Sequence, residues 1–312
     1  VRLHLVGDER QGGAYAATHY WCAAYPGTDC FASPGGNYLT KAWRNTYGWL
    51  DPLLVSKWVN WSPPRNFDEV HLHRWSDWGP AAIKIAQKVG RKTIWHVLDY
   101  NIICSRDCFN VPNCDYNCAK CYQPQMPMLL KWPIKSRRKR LIRWVNQVDE
   151  IICLSHHSEN LLREWGITAP ITVEPLVVNL KPRDVPRYPN TIMFAGWLAD
   201  NKGWPLIQRL RSRFPNEAWW VMGMNKETPK FSNEGIIEIL SRCTVLLVPE
   251  QWPTMGSVIV AEAMALNTPI IASNIGGLPE QLAGYHHHWL CDPTNEQQWV
   301  DTIKEVLCNS PY

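Results

Sequence analysis

Nowhere among its 312 residues does the chain carry the roughly 20 consecutive apolar residues that a membrane-spanning helix requires. A helical span of that kind is therefore not expected. Charge of one sign is equally scarce. The 32 Lys and Arg against 28 Asp and Glu leave a formal net charge of +4, too small to mark the chain as a whole as a polyanion binder. No internal sequence repeat is visible. The opening VRLHLVGDERQGG has an apolar run too short for a secretory leader, and Arg2 and His4 interrupt it. It reads as a first core strand, and with it goes the expectation of a cytoplasmic protein.

What is present is the composition of a folded globular chain, 46% hydrophobic and 19% charged, with a length that suits two domains. The positive charge is concentrated in KWPIKSRRKRLIR, which begins at Lys131 and closes at Arg143. That run reads either as a solvated helix face or as a patch for an anionic surface, lipid or nucleic acid. Eighteen Trp is a high count. Trp219 and Trp220, in the strand-like AWWVMG, are expected in the core. Trp75 and Trp78, in RWSDWG, are better placed to stack on sugars or bases.

Apolar runs predict strands at 2–6, 69–72, 93–98, 150–154, 171–174, 191–195, 218–222, 244–248 and 269–272. Helices are expected at 14–24, 80–89, 157–165, 205–214, 233–243, 258–266 and 296–307. Short, nearly continuous apolar strands alternating with amphipathic helices indicate α/β architecture with parallel sheets covered on both faces. The Pro-rich KPRDVPRYP, 181–189, breaks both patterns and reads as an interdomain linker.

The most informative stretch is VLLVPEQWPTMGSVIVAEAMALNTPIIASNIGGLPEQL, 245–282. A buried strand runs into a turn-rich loop, and a helix starting near Gly256 carries Glu262. A second strand then leads to the Gly276–Gly277 turn. In parallel sheets ligands collect where strands end and helices begin, because unpaired amides and the positive helix end point there. The stretch reads as a nucleotide-diphosphate pocket. Position by position, it resembles the donor-binding signature of family-4 retaining glycosyltransferases.

The resemblance extends over most of the chain. Gln11-Gly12-Gly13-Ala14 resembles the family's glycine loop, DEVHLHRW (68–75) its DVIHLHN strand, and KTIWHVLDY (92–100) its VVWTLHDM strand. CLSHHSENLLREWGI (153–167) is similar to its PSxW helix entry, and AGWLADNKG (195–203) to its GRL…KG turn. The implied fold is GT-B, two Rossmann-like doubly wound domains facing a cleft. An acceptor-side domain would cover 1–180, with a Cys-rich insertion at 104–127. A nucleotide-sugar domain would cover 190–295, and a last helix, 296–312, would cross back to the first domain.

The resemblance also implies site residues. Gly12 and Gly13 would lie beside the donor phosphates, and Lys202 would stabilise the leaving diphosphate. Glu262 would accept the ribose hydroxyls, and backbone amides of Met255, Gly256 and Ser257 would face the sugar. Glu280 matches a family glutamate, with helix capping as its alternative. The family's first acid is Thr254 here, its HD pair is Leu98-Asp99 with His96 the nearest imidazole, and its GR arginine is Trp197. Asp99 remains a candidate polar contact in catalysis, and Arg10, Arg74 or Arg106 are candidates to replace the missing charge. No Asp-x-Asp pair occurs, so no catalytic metal is expected.

Five cysteines cluster as Cys104-x3-Cys108-x5-Cys114-x3-Cys118-x2-Cys121. Cys108, Cys114, Cys118 and Cys121 fit a closed structural Zn2+ site; two disulfides or free thiols are the alternatives. The other six cysteines are expected as buried hydrophobes. His71 and His73 are expected on opposite faces of a strand, unable to share a metal. His286, His287 and His288 are expected in a surface turn.

The reading is a retaining glycosyltransferase moving a sugar from a nucleotide diphosphate, UDP-linked, to a hydroxyl acceptor on a surface or lipid-linked glycan. Two alternatives stand beside it. One is a DNA glycosyltransferase acting on hydroxymethylated pyrimidines in viral DNA. The other is a catalytically silent nucleotide-sugar or glycan-binding protein.

Overall fold

The computed structural model describes residues 2–6, 13–24, 29–32, 66–73, 81–100, 139, 141–224 and 231–309. The chain divides into two compact units, Val1–Glu174 and Pro175–Tyr312. Among the described residues no helix is long and apolar enough to cross a membrane.

The first unit holds a six-stranded sheet built from β1 (Arg2–Val6), β2 (Asp29–Ala32), β3 (Phe67–Leu72), β4 (Gly90–Val97), β5 (Glu150–Cys153) and β6 (Ile171–Val173). Its order is β2-β1-β3-β4-β5-β6, and every pairing is parallel. Helix α1 (Gly13–Ala24) follows β1, α2 (Ala81–Val89) joins β3 to β4, and α3 (His156–Glu164) follows β5. The face of α2 formed by Ala82, Ile83, Ala86 and Val89 is buried, as its helical period requires. Helix α3 starts where it does because the Ser155 hydroxyl accepts the Ser158 amide, satisfying a donor that has no partner within the helix.

The second unit repeats the plan with β7 (Thr191–Trp197), β8 (Ala218–Met224), β9 (Val245–Val248), β10 (Ile270–Ser273) and β11 (His288–Cys291). The order is β11-β10-β9-β7-β8, again all parallel. Its helices are α4 (Trp204–Arg213), α5 (Asn233–Arg242), α6 (Val258–Ala265), α7 (Leu278–Leu282) and α8 (Glu296–Asn309). Two apolar layers sandwich the sheet. Leu206, Ile207 and Leu210 of α4 join Trp299, Val300, Ile303 and Val306 of α8 on one face. Ile237 and Leu240 of α5 join Val260 and Ala263 of α6 on the other. The buried face of α8 thus belongs to the core of the second unit.

In each sheet the first strand sits between the second and the third, so the order reverses beside β1 in one unit and beside β7 in the other. Crevices for ligands open at such reversals, outside the carboxyl ends of the strands.

All nine expected strands form. Two others, β2 and β11, are four-residue edge strands, DCFA and HWLC, each opened by a polar residue. Parallel pairing makes them strands, as in Ile270 with His288 and Ser273 with Cys291. His288 therefore opens a strand and is not part of a surface turn. The stretch expected as a linker, 181–189, is tied to the second unit. Arg183 pairs with Glu238 at 2.7 Å, and Arg187 donates to the carbonyls of Cys243 and Asn267 at 2.9 and 2.8 Å. Backbone carbonyls left at helix ends draw those guanidinium groups in.

Three expectations are corrected. Trp220 is 40% exposed whereas Trp219 packs against the core, because adjacent strand residues point to opposite faces. Cys308 is exposed and Cys22 half-buried, unlike the buried Cys153, Cys243 and Cys291. His71 and His73 share one face, since strand side chains repeat every second residue; their stacked rings lie 6.3 Å apart.

Candidate functional site

The reversal in the second sheet brings two loops together. After β7 the chain makes a 3-10 turn at Asp200–Lys202 and enters α4 through Gly203, whose φ is 72°. A Cβ on Gly203 would lie 2.0 Å from the Pro249 carbonyl oxygen. Only glycine allows this turn to press against the end of β9. Across the contact, Gln251 donates its amide to the Asn201 carbonyl at 2.9 Å.

This approach couples Lys202 to Glu250, a carboxylate that no sequence motif singles out. Lys202 Nζ is 2.5 Å from Glu250 Oε1, and Trp252 Nε1 donates to Glu250 Oε2 at 2.5 Å. The ammonium also stands 5.4 Å from the Trp252 ring centroid, within cation–π range. Glu250 is 4% exposed, while the Lys202 side chain keeps 26% of its surface open. The result is a cation held from below by a buried acid, with its upper side accessible. The available signal in the sequence was an acid placed directly after Val248-Pro249, at the carboxyl end of a buried strand.

Beyond Trp252 the loop folds on itself. Thr254 is 4% exposed, and its hydroxyl donates to the Gly256 carbonyl at 3.0 Å. Its carbonyl accepts the Gly277 amide at 2.7 Å. Gly276, φ 62°, is required here, because a Cβ would lie 2.5 Å from the Thr254 oxygen. The Gly276–Gly277 turn therefore packs against the Thr254 loop. Met255 is buried. Ser257 precedes α6, with its amide and carbonyl both bonded to the Gln281 side chain at 2.8 Å. That amide is thus engaged inside the protein. Gly256 is half-buried beside it.

Glu262 lies in the second turn of α6 and is 3% exposed, an unusual position for a carboxylate. Glu280, in the first turn of α7, is exposed. Trp197, at the end of β7, is 47% exposed.

In the first unit Asp99 follows the end of β4 and is half-buried. His96 is 1% exposed and packed among other histidines, so it is not an open imidazole beside Asp99. Gly13 opens α1. Gly12, Trp75, Trp78, Arg10, Arg74, Arg106 and the cluster Cys104, Cys108, Cys114, Cys118 and Cys121 lie outside the described residues. So does most of the basic run; Lys139 and Arg143 within it are exposed.

Comparison with known proteins agrees with this architecture. The model for glycosyl transferases group 1 matches residues 225–312. Among curated relatives, D-inositol 3-phosphate glycosyltransferase of Mycolicibacterium smegmatis is 35% identical over 83 residues, 27% of this chain and 19% of that protein. The counterpart from Stackebrandtia nassauensis is 29% identical over 83 residues, 27% of this chain and 18% of the relative. The match thus spans about a fifth of the length of these relatives. Among solved structures, sucrose-phosphate synthase from Thermosynechococcus elongatus superposes with a TM-score of 0.66 at 16% identity, over 99% of this chain and 90% of the other. Anabaena HepE in complex with UDP-glucose gives 0.63 at 15% identity, over 97% and 88%. These likenesses establish the GT-B fold, the two parallel doubly wound units described above. The model for glycosyltransferase family 4 matches residues 16–181, more than half of the chain, and the chain belongs to that family.

Proposed function

We propose that this protein is a retaining glycosyltransferase that transfers a sugar from a nucleotide diphosphate, UDP-linked, to a hydroxyl acceptor. The observation that carries the reading is Lys202, held at the reversal of the second sheet by the buried Glu250. A diphosphate leaving group gains charge as its bond to the sugar breaks, and a fixed cation stabilises that charge most in the transition state. Glu250 acts as a positioning residue, because it keeps the ammonium in place before the donor arrives. The start of α6 adds helix-end amides, and Glu262 is assigned to the ribose hydroxyls. HepE, which shares the fold, was solved with UDP-glucose, in keeping with this donor.

In the proposed reaction the acceptor oxygen attacks the anomeric carbon on the face that the diphosphate leaves. The carbon–oxygen bond to the diphosphate breaks, and the acceptor proton passes to the departing phosphate oxygen. No protein nucleophile is assigned. The acceptor is proposed to be a surface or lipid-linked glycan, with the basic run ending at Arg143 toward an anionic surface.

A silent nucleotide-sugar-binding protein is the second reading. It is favoured by Thr254, which stands at the acid position and spends its hydroxyl on the Gly256 carbonyl. Incubation of the purified chain with UDP-sugars and mixed hydroxyl acceptors, followed by mass spectrometry, separates the two. Transfer or slow donor hydrolysis supports the enzyme, and UDP binding without turnover supports the silent protein. Product on hydroxymethylated DNA would redirect the acceptor assignment.

A further inference from the structure

Four histidines gather on one face of the first sheet, His4 midway along β1, His71 and His73 at the end of β3 and His96 near the end of β4. His4 is in register with His71. His73 continues the pairing beyond β3 by donating its amide to the Leu5 carbonyl at 3.1 Å, and His96 lies near the end of β4. None of the four is more than 3% exposed. The rings stack, with centroids 4.5 Å apart for His4 and His71, 4.7 Å for His4 and His73, and 4.3 Å for His73 and His96.

This is an odd filling for a core. Each neutral imidazole brings one N–H and one lone pair, and both need partners when water is excluded. His4 Nδ1 is 2.5 Å from His73 Nε2, and His71 Nδ1 is 2.8 Å from His96 Nε2. Among the described residues His73 Nδ1 is buried without a hydrogen-bond partner. All four rings are buried, and a neutral imidazole nitrogen is a metal ligand.

Three further observations point to an ion. One ring nitrogen from each of His4, His71 and His73 lies within 4.8 Å of the other two. Glu69 Oε2 is 3.5 Å from His71 Nε2. A carboxylate outside a histidine fixes its tautomer and raises its basicity as a ligand, which leaves Nδ1 to the cluster. The cluster also sits between β1 and β3, where the strand order reverses, the place at which such sheets bind ligands.

We propose that His4, His71 and His73 form a buried tris-imidazole site for one divalent transition-metal ion. Glu69 orients His71 from outside, and His96 packs against the ligand rings. An all-nitrogen triad selects zinc-like ions over magnesium or calcium, which prefer oxygen. Bonds of about 2.0–2.1 Å call for small ring rotations, which draw the three nitrogens onto one centre. The ion cross-links β1 to β3. The site lies wholly in the first unit, so it stands or falls separately from the donor site.

The test uses the full chain, stripped of metal by a chelator and titrated with Zn2+, beside the variants His71→Asn and His4→Leu. The unaltered chain is expected to take up one equivalent more than either variant, and zinc should raise its unfolding temperature more. Loaded with Co2+, the difference spectrum between the unaltered chain and His71→Asn should show d–d bands without thiolate charge transfer. Equal zinc content in all three proteins overturns the proposal. So does a thiolate band in that difference, because the ion would then belong to cysteines. If neither variant folds, X-ray absorption of the zinc-loaded unaltered chain decides. Imidazole scattering supports the site, and a sulfur-only shell overturns it.

Discussion

Lys202 Nζ and Glu250 Oε1 meet at 2.5 Å across the two loops that flank the strand reversal of the second sheet. Between them, Gly203 lets the turn after β7 approach the Pro249 carbonyl, where a Cβ would clash. The pair therefore results from backbone packing, and it fixes a positive charge where a donor diphosphate is proposed to lie.

Lys202→Ala is expected to lower turnover by about 10²-fold, the scale for losing one transition-state stabiliser, with a smaller loss of UDP affinity. Glu250→Gln keeps the shape but removes the charge that anchors the ammonium. It should lower turnover less than Lys202→Ala, and adding it to Lys202→Ala should cost little more, since the two act as one element. Steady-state kinetics and calorimetry on the three variants provide the check. Fully additive losses would show that Glu250 does not act through Lys202.

Glu262→Gln is expected to weaken UDP binding more than it weakens folding. A charge-assisted hydrogen bond contributes about 1.5–3 kcal/mol, and the variant keeps the volume that α6 buries. Calorimetric titration with UDP, alongside thermal unfolding, measures both effects. Unchanged affinity would remove Glu262 from the donor site.

Three glycines with positive φ separate conformational cost from contact. Gly284 has φ 82°, and a methyl group added there would meet nothing within 4 Å among the described residues, so Gly284→Ala should cost only about 1–2 kcal/mol. Gly203→Ala and Gly276→Ala set a Cβ against backbone atoms of Pro249 and Thr254, which cannot swing aside. Those two should approach the about 4–5 kcal/mol that marks exceptional substitutions and should also disturb UDP binding. Urea unfolding compares them, and equal costs for all three would contradict the packing described.

Without metal, the chain should lose stability as pH falls below the ordinary histidine range. In the unfolded chain histidines titrate near 6.5. In the folded chain burial lowers all four, His4 to about 3, with Arg2 and Lys92 adding repulsion and Glu69 opposing it. Between those values the unfolded state binds more protons, so stability rises with pH across that window and levels off above it. Urea midpoints in chelator should be lower at about pH 5 than at about pH 7.5. His71→Phe should narrow the gap, and equal midpoints at both pH values would contradict the shifts.

The strands were legible because each covered strand of a parallel sheet is apolar almost throughout, as in Val245–Val248. Two of the four edge strands show the pattern less: Asp29–Ala32 and His288–Cys291 are strands through their neighbours. The turn that carries Lys202 was legible. Glu250 was not, because its partner lies 48 positions away and no local period marks it. Alternate strand residues share a face, so His71 and His73 lie side by side, and their convergence with His4 needed the β1–β3 register.

The sequence by itself determined the architecture class and the family resemblance, since both rest on local periodicity and on the order of short motifs. Tertiary structure decided what lies against what. It turned Thr254 inward, engaged the Ser257 amide with Gln281, set Glu250 beneath Lys202 and stacked His4, His71, His73 and His96 on one face. Such contacts depend on strand order and register, and in a parallel sheet both are set by pairings between distant segments that no single segment encodes.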